Sequence, residues 1–283
     1  MNKKFTVASF KESKDKGRKI SMLTAYDYPT AKILDGMGVD SILVGDSLGM
    51  VVLGYEDTTR VRMEDMIHHG RAVVRGTEHA LVVCDMPFLS YHMGRYESVK
   101  NAGRLVLETG CKAVKLEGGK EICEDVRAII SAGIPVGGDL GYTPPSVNVF
   151  GGHKAQGRDF ATAKKIFKDA LSLQEAGVFS IVLECVPYRV AQFISKRLDI
   201  PTIGIGSGAD CDGQVLVIQD LTGVFRDFTP RHVKKYLDMG SAMEEAVGNY
   251  IDEVQRGLFP TEKNSFVVDD KVIDDLEKLN FNI

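Results

Sequence analysis

Residues 174–184 read Gln-Glu-Ala-Gly-Val-Phe-Ser-Ile-Val-Leu-Glu. Glu175-Ala176-Gly177 has the form of a helix end with a glycine cap, Ser180 to Leu183 is a short apolar run, and Glu184 follows it at once. The same pattern recurs outward in both directions. Apolar runs stand at Ile20 to Ala25, Ser41 to Gly45, Ala80 to Cys84, Ala113 to Leu116, Ile134 to Val136, Pro201 to Ile205 and Val215 to Ile218, and Ser131-Ala132-Gly133 repeats the glycine cap. Helix-period segments lie between most of them: Met63 to Arg75, Val99 to Glu108, Glu121 to Ala132 and Ala161 to Ala176. Near-continuous apolar runs suit strands buried on both faces, hence a parallel sheet. Eight strands alternating with helices predict an α/β fold, a (β/α)8 TIM barrel, ahead of an open doubly wound sheet. Between the last two strands, Ser207 to Gln214 is too short for an ordinary helix.

Barrels of this kind use about 250 residues as one domain, so 1–283 reads as a single barrel domain with additional C-terminal helices. Thr229 to Gly257 reads as two more helices, with Pro230 at a helix start. From about residue 260 a polar extension carries Val272, Ile273, Leu276 and Leu279 at helical spacing, as in a surface helix lying on the barrel or on a neighbouring subunit.

The chain is 44% hydrophobic and 26% charged, enough apolar mass for a sizeable core. Thirty-five Lys and Arg against 39 Asp and Glu leave a net charge of −4, which speaks against a nucleic-acid partner. Asp46 and Asp85 interrupt the best apolar candidates for a membrane span, and the charged start MNKKFTVASFKESKDKGRK lacks the apolar core of a leader. Cys84, Cys111, Cys123, Cys185 and Cys211 form no CxxC pair and read as reduced thiols, so a cytoplasmic location is expected.

In a barrel the chemistry sits at the C-terminal ends of the strands. The residues following the runs there are Asp46, Asp85, Glu117, Asp139 and Glu184, and Lys115 lies two before Glu117 on the same strand face. Five carboxylates converging on one mouth require a compensating cation. Oxygen ligands without a His or Cys pattern favour Mg²⁺ over zinc. Ser47, beside Asp46, either binds a substrate carboxylate or makes a turn or helix cap. Gly204-Ile205-Gly206-Ser207-Gly208 lacks full dinucleotide spacing and reads as a tight backbone approach near the ligand. Gly118-Gly119-Lys120 fails as a phosphate loop, because Val114 stands where its first glycine belongs. His68 and His69 read as a packed or exposed pair. The stretch Gly141 to Asp159 is long enough for a lid or a subunit contact.

Several long blocks carry a resemblance. VGDSLGMVVLGYEDT (44–58), CDMPFLSY (84–91), AVKLEGG (113–119), GGHKAQGR (151–158), VLECVP (182–187) and IPTIGIGSGADCDGQVLV (200–217) make the chain similar to the ketopantoate hydroxymethyltransferase family from about Ser21 to Phe266. The resemblance implies a barrel of the phosphoenolpyruvate mutase-like group with bound Mg²⁺. It implies transfer of a hydroxymethyl group from 5,10-methylenetetrahydrofolate to 3-methyl-2-oxobutanoate, giving 2-dehydropantoate for coenzyme A synthesis. Carried over by motif, Asp46, Asp85 and Glu117 take the metal role, directly or through water. Asp46, Ser47, Asp85 and Lys115 take the 2-oxo acid contacts, and Glu184 the role of proton acceptor. A homo-oligomer is implied, decamers being frequent in the family. The chain departs from the family at GGDLGYTPPS, where the usual block is GHLGLTPQS: Asp139 stands in place of His, and Tyr142 and Pro145 also differ. Asn264 stands where His is common. Asp139 is thereby a candidate catalytic residue of altered character, able to donate a hydrogen bond only when protonated. That keeps two alternatives open: another Mg²⁺-dependent aldol-type lyase or transferase on a 2-oxo acid, and a non-catalytic paralogue.

Overall fold

The computed structural model describes residues 4–142 and 156–279. Eight parallel strands close into a barrel in chain order: β1 (Ile20–Thr24), β2 (Ser41–Val44), β3 (Leu81–Asp85), β4 (Ala113–Glu117), β5 (Val136–Gly141), β6 (Ile181–Glu184), β7 (Thr202–Ile205) and β8 (Gly213–Leu216), with β8 pairing back to β1. The helices around and beyond it are α1 (Val7–Asp15), α2 (Tyr28–Gly36), α3 (Leu48–Val51), α4 (Met63–Arg75), α5 (Arg95–Thr109), α6 (Cys123–Ser131), α7 (Phe160–Ala176), α8 (Tyr188–Ser195), α9 (Ile218–Thr222), α10 (Met239–Gln255) and α11 (Asp270–Glu277). The closed barrel excludes the open sheet. Gly177 ends α7 in the left-handed conformation, the cap that Glu175-Ala176-Gly177 announces, and Gly110 ends α5 in the same way. No described helix is long and apolar enough to cross a membrane.

Several boundaries differ from the sequence reading. β5 runs five residues past the expected end at Val136, continuing through Gly137-Gly138. A Cβ on Gly138 would lie 2.9 Å from Leu173 Cδ1, so the missing side chain lets α7 close on an unbroken strand. β8 begins at Gly213 rather than Val215 for a related reason: a Cβ there would lie 2.6 Å from the Ile20 carbonyl oxygen. The chain then turns at Ile218, whose N–H donates to Thr24 Oγ1 at 3.0 Å and starts α9. Of the two helices expected in Thr229 to Gly257, only α10 forms; residues 229–238 are turns and bends, with Pro230 opening no helix. The proposed lid, Gly141 to Asp159, falls mostly on 143–155, outside the described residues.

The charged N-terminal segment contains a helix the sequence reading did not anticipate. Phe10 of α1 is fully buried and packs edge-on to Phe179, with ring centroids 5.0 Å apart. It joins the strand side chains Ile20, Leu81, Ala113, Ile203 and Val215 in one apolar cluster. The larger core lies between strands and helices and includes Ile42, Cys84, Leu105, Leu116, Leu173 and Ile181. Inward-facing positions nearer the C-terminal ends of the strands are polar instead, and there the acids gather.

Candidate active site

Register brings the sequence candidates together. Asp85 pairs with Lys115, Glu117 with Asp139, and Gly141 with Glu184. Asp85 is thus level with Lys115, Glu117 and Asp139 sit one layer higher, and Glu184 stands higher still. Asp46 follows β2 by one glycine, and its backbone N–H donates to Asp85 Oδ2 at 3.1 Å.

Lys115 is the hub. Its ammonium lies 2.6 Å from Asp139 Oδ2, 3.3 Å from Asp85 Oδ1 and 3.9 Å from Glu117 Oε1. Lys115, Asp46, Asp85 and Asp139 are all buried. Burial alone would drive the ammonium down; the charges of Asp139, Asp85, Glu117 and Asp46 outweigh it and hold Lys115 well above its ordinary value. The acids move upward as well. Burial and the Asp85 charge push Asp46 up to about 7, and burial, opposed by Lys115, pushes Asp139 up to about 6. Burial also raises Asp85 against the pull of Lys115. Glu117 and Glu184 rise furthest, by burial and then by the charges of Asp46 and Asp139 respectively. One cation does not neutralise five acids, so the cluster holds protons or takes up further positive charge.

The fit to a metal follows from that shortage. Glu117 Oε2 and Asp139 Oδ1 are buried without a hydrogen-bond partner among the described residues, Asp85 Oδ1 has only the Lys115 ammonium at 3.3 Å, and a divalent ion would satisfy such oxygens. Among the described residues no three acidic, imidazole or thiol groups close tightly around one point as they stand. The carboxylates turn toward Lys115 instead, an arrangement compatible with an ion that keeps part of its water, as Mg²⁺ does.

Ser47 resolves in favour of neither expectation alone. It opens α3 without capping it, and its hydroxyl lies 2.9 Å from the Tyr26 hydroxyl. Tyr26 itself escaped the sequence reading. It follows the first apolar run just as the acids follow theirs, and attention to carboxylates alone passed over it. Tyr91 is a second missed residue: its hydroxyl donates to the Glu117 carbonyl at 3.0 Å and accepts from the Glu117 N–H at 3.2 Å, tying the loop after β3 to the end of β4. No sequence pattern marks a contact between positions 26 residues apart. Leu89, in the same loop, takes φ 63°, a left-handed conformation uncommon for a bulky side chain.

The lesser motifs find ordinary uses. His69 Nδ1–H donates to the Tyr26 carbonyl at 2.7 Å, and His68 meets His69 edge-on, with His69 half-buried and His68 exposed. The close approach at Gly208 is to protein: a Cβ there would lie 2.5 Å from Tyr188 Cβ. Gly119 leads into a 3-10 turn, its N–H donating to Glu121 Oε1 at 2.8 Å, with no phosphate cradle. Cys84 packs into the outer core, on the face away from the acids.

The ketopantoate hydroxymethyltransferase profile matches residues 4–262. The chain belongs to the ketopantoate hydroxymethyltransferase family. It is 74% identical over 283 residues to the 3-methyl-2-oxobutanoate hydroxymethyltransferase of Acetivibrio thermocellus, covering 100% of both chains. It is 55% identical to the enzymes of that name from Clostridium novyi and Enterococcus faecalis, in each case over 273 residues, 96% of this chain and 99% of the relative. Among solved structures, a phosphonopyruvate hydrolase complexed with oxalate and Mg²⁺ superposes with a TM-score of 0.60 at 12% identity, covering 98% of this chain and 95% of that one. A 2,3-dimethylmalate lyase of the PEP mutase/isocitrate lyase superfamily gives 0.55 at 11%, covering 96% and 94%. At that identity the likeness is one of fold, and it agrees with the barrel of this transferase family member.

Proposed function

We propose that the chain transfers a hydroxymethyl group from 5,10-methylenetetrahydrofolate to 3-methyl-2-oxobutanoate in a Mg²⁺-dependent reaction, forming 2-dehydropantoate and tetrahydrofolate with one water consumed. The observation that carries this reading is the placement of Glu184: it crowns the Lys115-centred cluster while making no ion pair with Lys115 among the described residues. Family membership supports the reaction, and the position of Glu184 supports its role as the base.

Asp46, Asp85 and Glu117 would hold Mg²⁺, directly or through water, where the ion acts as a Lewis acid on the 2-oxo group. Lys115 places a fixed positive charge where negative charge develops on the 2-oxo oxygen as the C3–H bond breaks. Ser47, braced by Tyr26, offers a hydroxyl and a backbone N–H to the substrate carboxylate. Glu184 takes the C3 proton; the upward push on its carboxyl brings its basicity closer to what abstraction next to a carbonyl needs. The electron pair left at C3 forms the new bond to the donated carbon, and water supplies the hydroxyl oxygen. Asp139, where the family usually has histidine, accepts from Lys115 and keeps the ammonium in place. A cytoplasmic homo-oligomer is the expected working form.

The test is product formation. Protein, both substrates and Mg²⁺ should yield 2-dehydropantoate; chelation of the metal should stop the reaction, and added Mg²⁺ should restore it. A protein that binds the 2-oxo acid and yields no product under any metal supplied would contradict the reading and favour the non-catalytic paralogue.

A further inference from the structure

Glu117 belongs both to the carboxylate cluster and to the lining of a cavity of about 240 Å³ beside it. That is below the roughly 300–1,000 Å³ of sites for drug-sized ligands, so it accommodates a ring system rather than a long molecule. Phe88, Tyr91 and His92 bring aromatic rings to it from the loop after β3, and Leu140 and Ile166 add apolar surface. The polar groups include Glu121, which accepts from the Gly119 N–H, and Asp169, which accepts from the Lys120 N–H and the Lys165 ammonium; each carboxylate retains spare lone pairs. Gly119 holds the strand end against α7: a Cβ there would lie 2.4 Å from Asp169 Cγ. Thr162, Lys165 and Gln156 also line the cavity and can donate, so the aromatic faces and the mixed polar edge suit a flat heterocycle carrying both N–H donors and acceptor atoms.

A second cavity, of about 740 Å³, shares Phe88 with the first. It is lined by Arg60 and Arg62, both exposed, and among the described residues neither guanidinium has a carboxylate within ion-pair distance. A ring with N–H donors and acceptors at one end and carboxylates at the other describe the folate donor. We infer that the donor lies across Phe88, its fused ring in the cavity beside Glu117 and its glutamate carboxylates toward Arg60 and Arg62. This rests on the functional reading above and assigns the second substrate its place in the same site.

The experiment is a calorimetric titration of the protein, with Mg²⁺ and 3-methyl-2-oxobutanoate present, against tetrahydrofolate. Asp169→Asn and the double variant Arg60→Gln/Arg62→Gln are titrated alongside wild type. Each should weaken tetrahydrofolate binding by roughly tenfold or more. The surface double variant should also lose most of the salt dependence of that binding, and the affinity for the 2-oxo acid alone serves as the control for a folded site. Tetrahydrofolate affinities within twofold of wild type in both variants overturn the placement while leaving the functional reading intact. No tetrahydrofolate binding by a wild-type protein that binds the 2-oxo acid overturns both.

Discussion

Lys115 holds together a site that its own neighbours would otherwise disperse. Its ammonium is buried among Asp85, Glu117 and Asp139, so removing it leaves several carboxylates without a counter-charge. Lys115→Met should therefore destabilise the fold by about 3–5 kcal/mol, the usual cost of stripping one partner from a buried ion pair. A urea denaturation midpoint indistinguishable from wild type would show that the acids are simply protonated and that Lys115 is not their organiser. Asp46, Asp85, Lys115, Glu117 and Glu184 were legible in the sequence, because each occupies a fixed position relative to a short apolar run and strand geometry does the rest. Tyr26 and Tyr91 were not. Their roles arise from contacts across the fold, with Ser47 and Glu117, which no local pattern encodes.

At the scale of elements, β5 and β6 set the position of Glu184, the proposed base. Gly141 pairs with Glu184 and takes φ +115°, and a Cβ on it would lie 2.2 Å from the Glu184 carbonyl oxygen. Gly141→Ala combines a strained backbone with a clash against another backbone, so a loss of about 3 kcal/mol or more is expected, with a fall in turnover as Glu184 moves. Unchanged thermal stability would refute this packing. A second element-level device is Asp35, in the last turn of α2. Its carboxylate accepts backbone N–H groups from Glu78, His79 and Ala80 at 3.0, 3.0 and 2.7 Å and so fixes the chain entering β3. Burial opposes its charge, yet those N–H groups prevail and its carboxyl lies below the ordinary value. Its contribution, about 2 kcal/mol, is present above the unfolded pKa of about 3.9 and is lost as pH falls through the lower folded value. Asp35→Ala should lower stability at pH 7 and flatten the acid limb of the stability curve; parallel curves would contradict this. Element boundaries were harder to read than elements, and Gly137-Gly138 and Gly213 show why. A glycine admits a turn or a close neighbour equally, and only the packing partner decides.

Across the whole molecule the barrel buries an extensive apolar core, while the C-terminal helices bury almost none of their apolar surface. Gly240 is the only buried residue of α10, and α11 has none. Val247, Tyr250, Ile251 and Val254 on α10, and Val272, Ile273 and Leu276 on α11, are all exposed. So much exposed apolar surface on two consecutive helices is expected to be covered by another copy of the chain. Light scattering should give a multiple of the subunit mass, and Ile251→Asp/Val254→Asp should reduce it. A monomeric wild type would contradict the expectation. The sequence announced the apolar spacing of α11 but could not say what it meets, because burial against a second chain leaves the same pattern as burial against the first.

The most direct test follows the C3 proton. Wild-type protein and Glu184→Gln, each with Mg²⁺ and 3-methyl-2-oxobutanoate in D₂O, are followed by proton NMR without folate. Loss of the C3 signal is expected in the wild type. Glu184→Gln should retain 2-oxo acid binding, with exchange slowed by roughly a hundredfold or more, as removal of a positioned general base requires. Equal exchange in the two proteins would contradict this assignment and move the base to another group of the cluster.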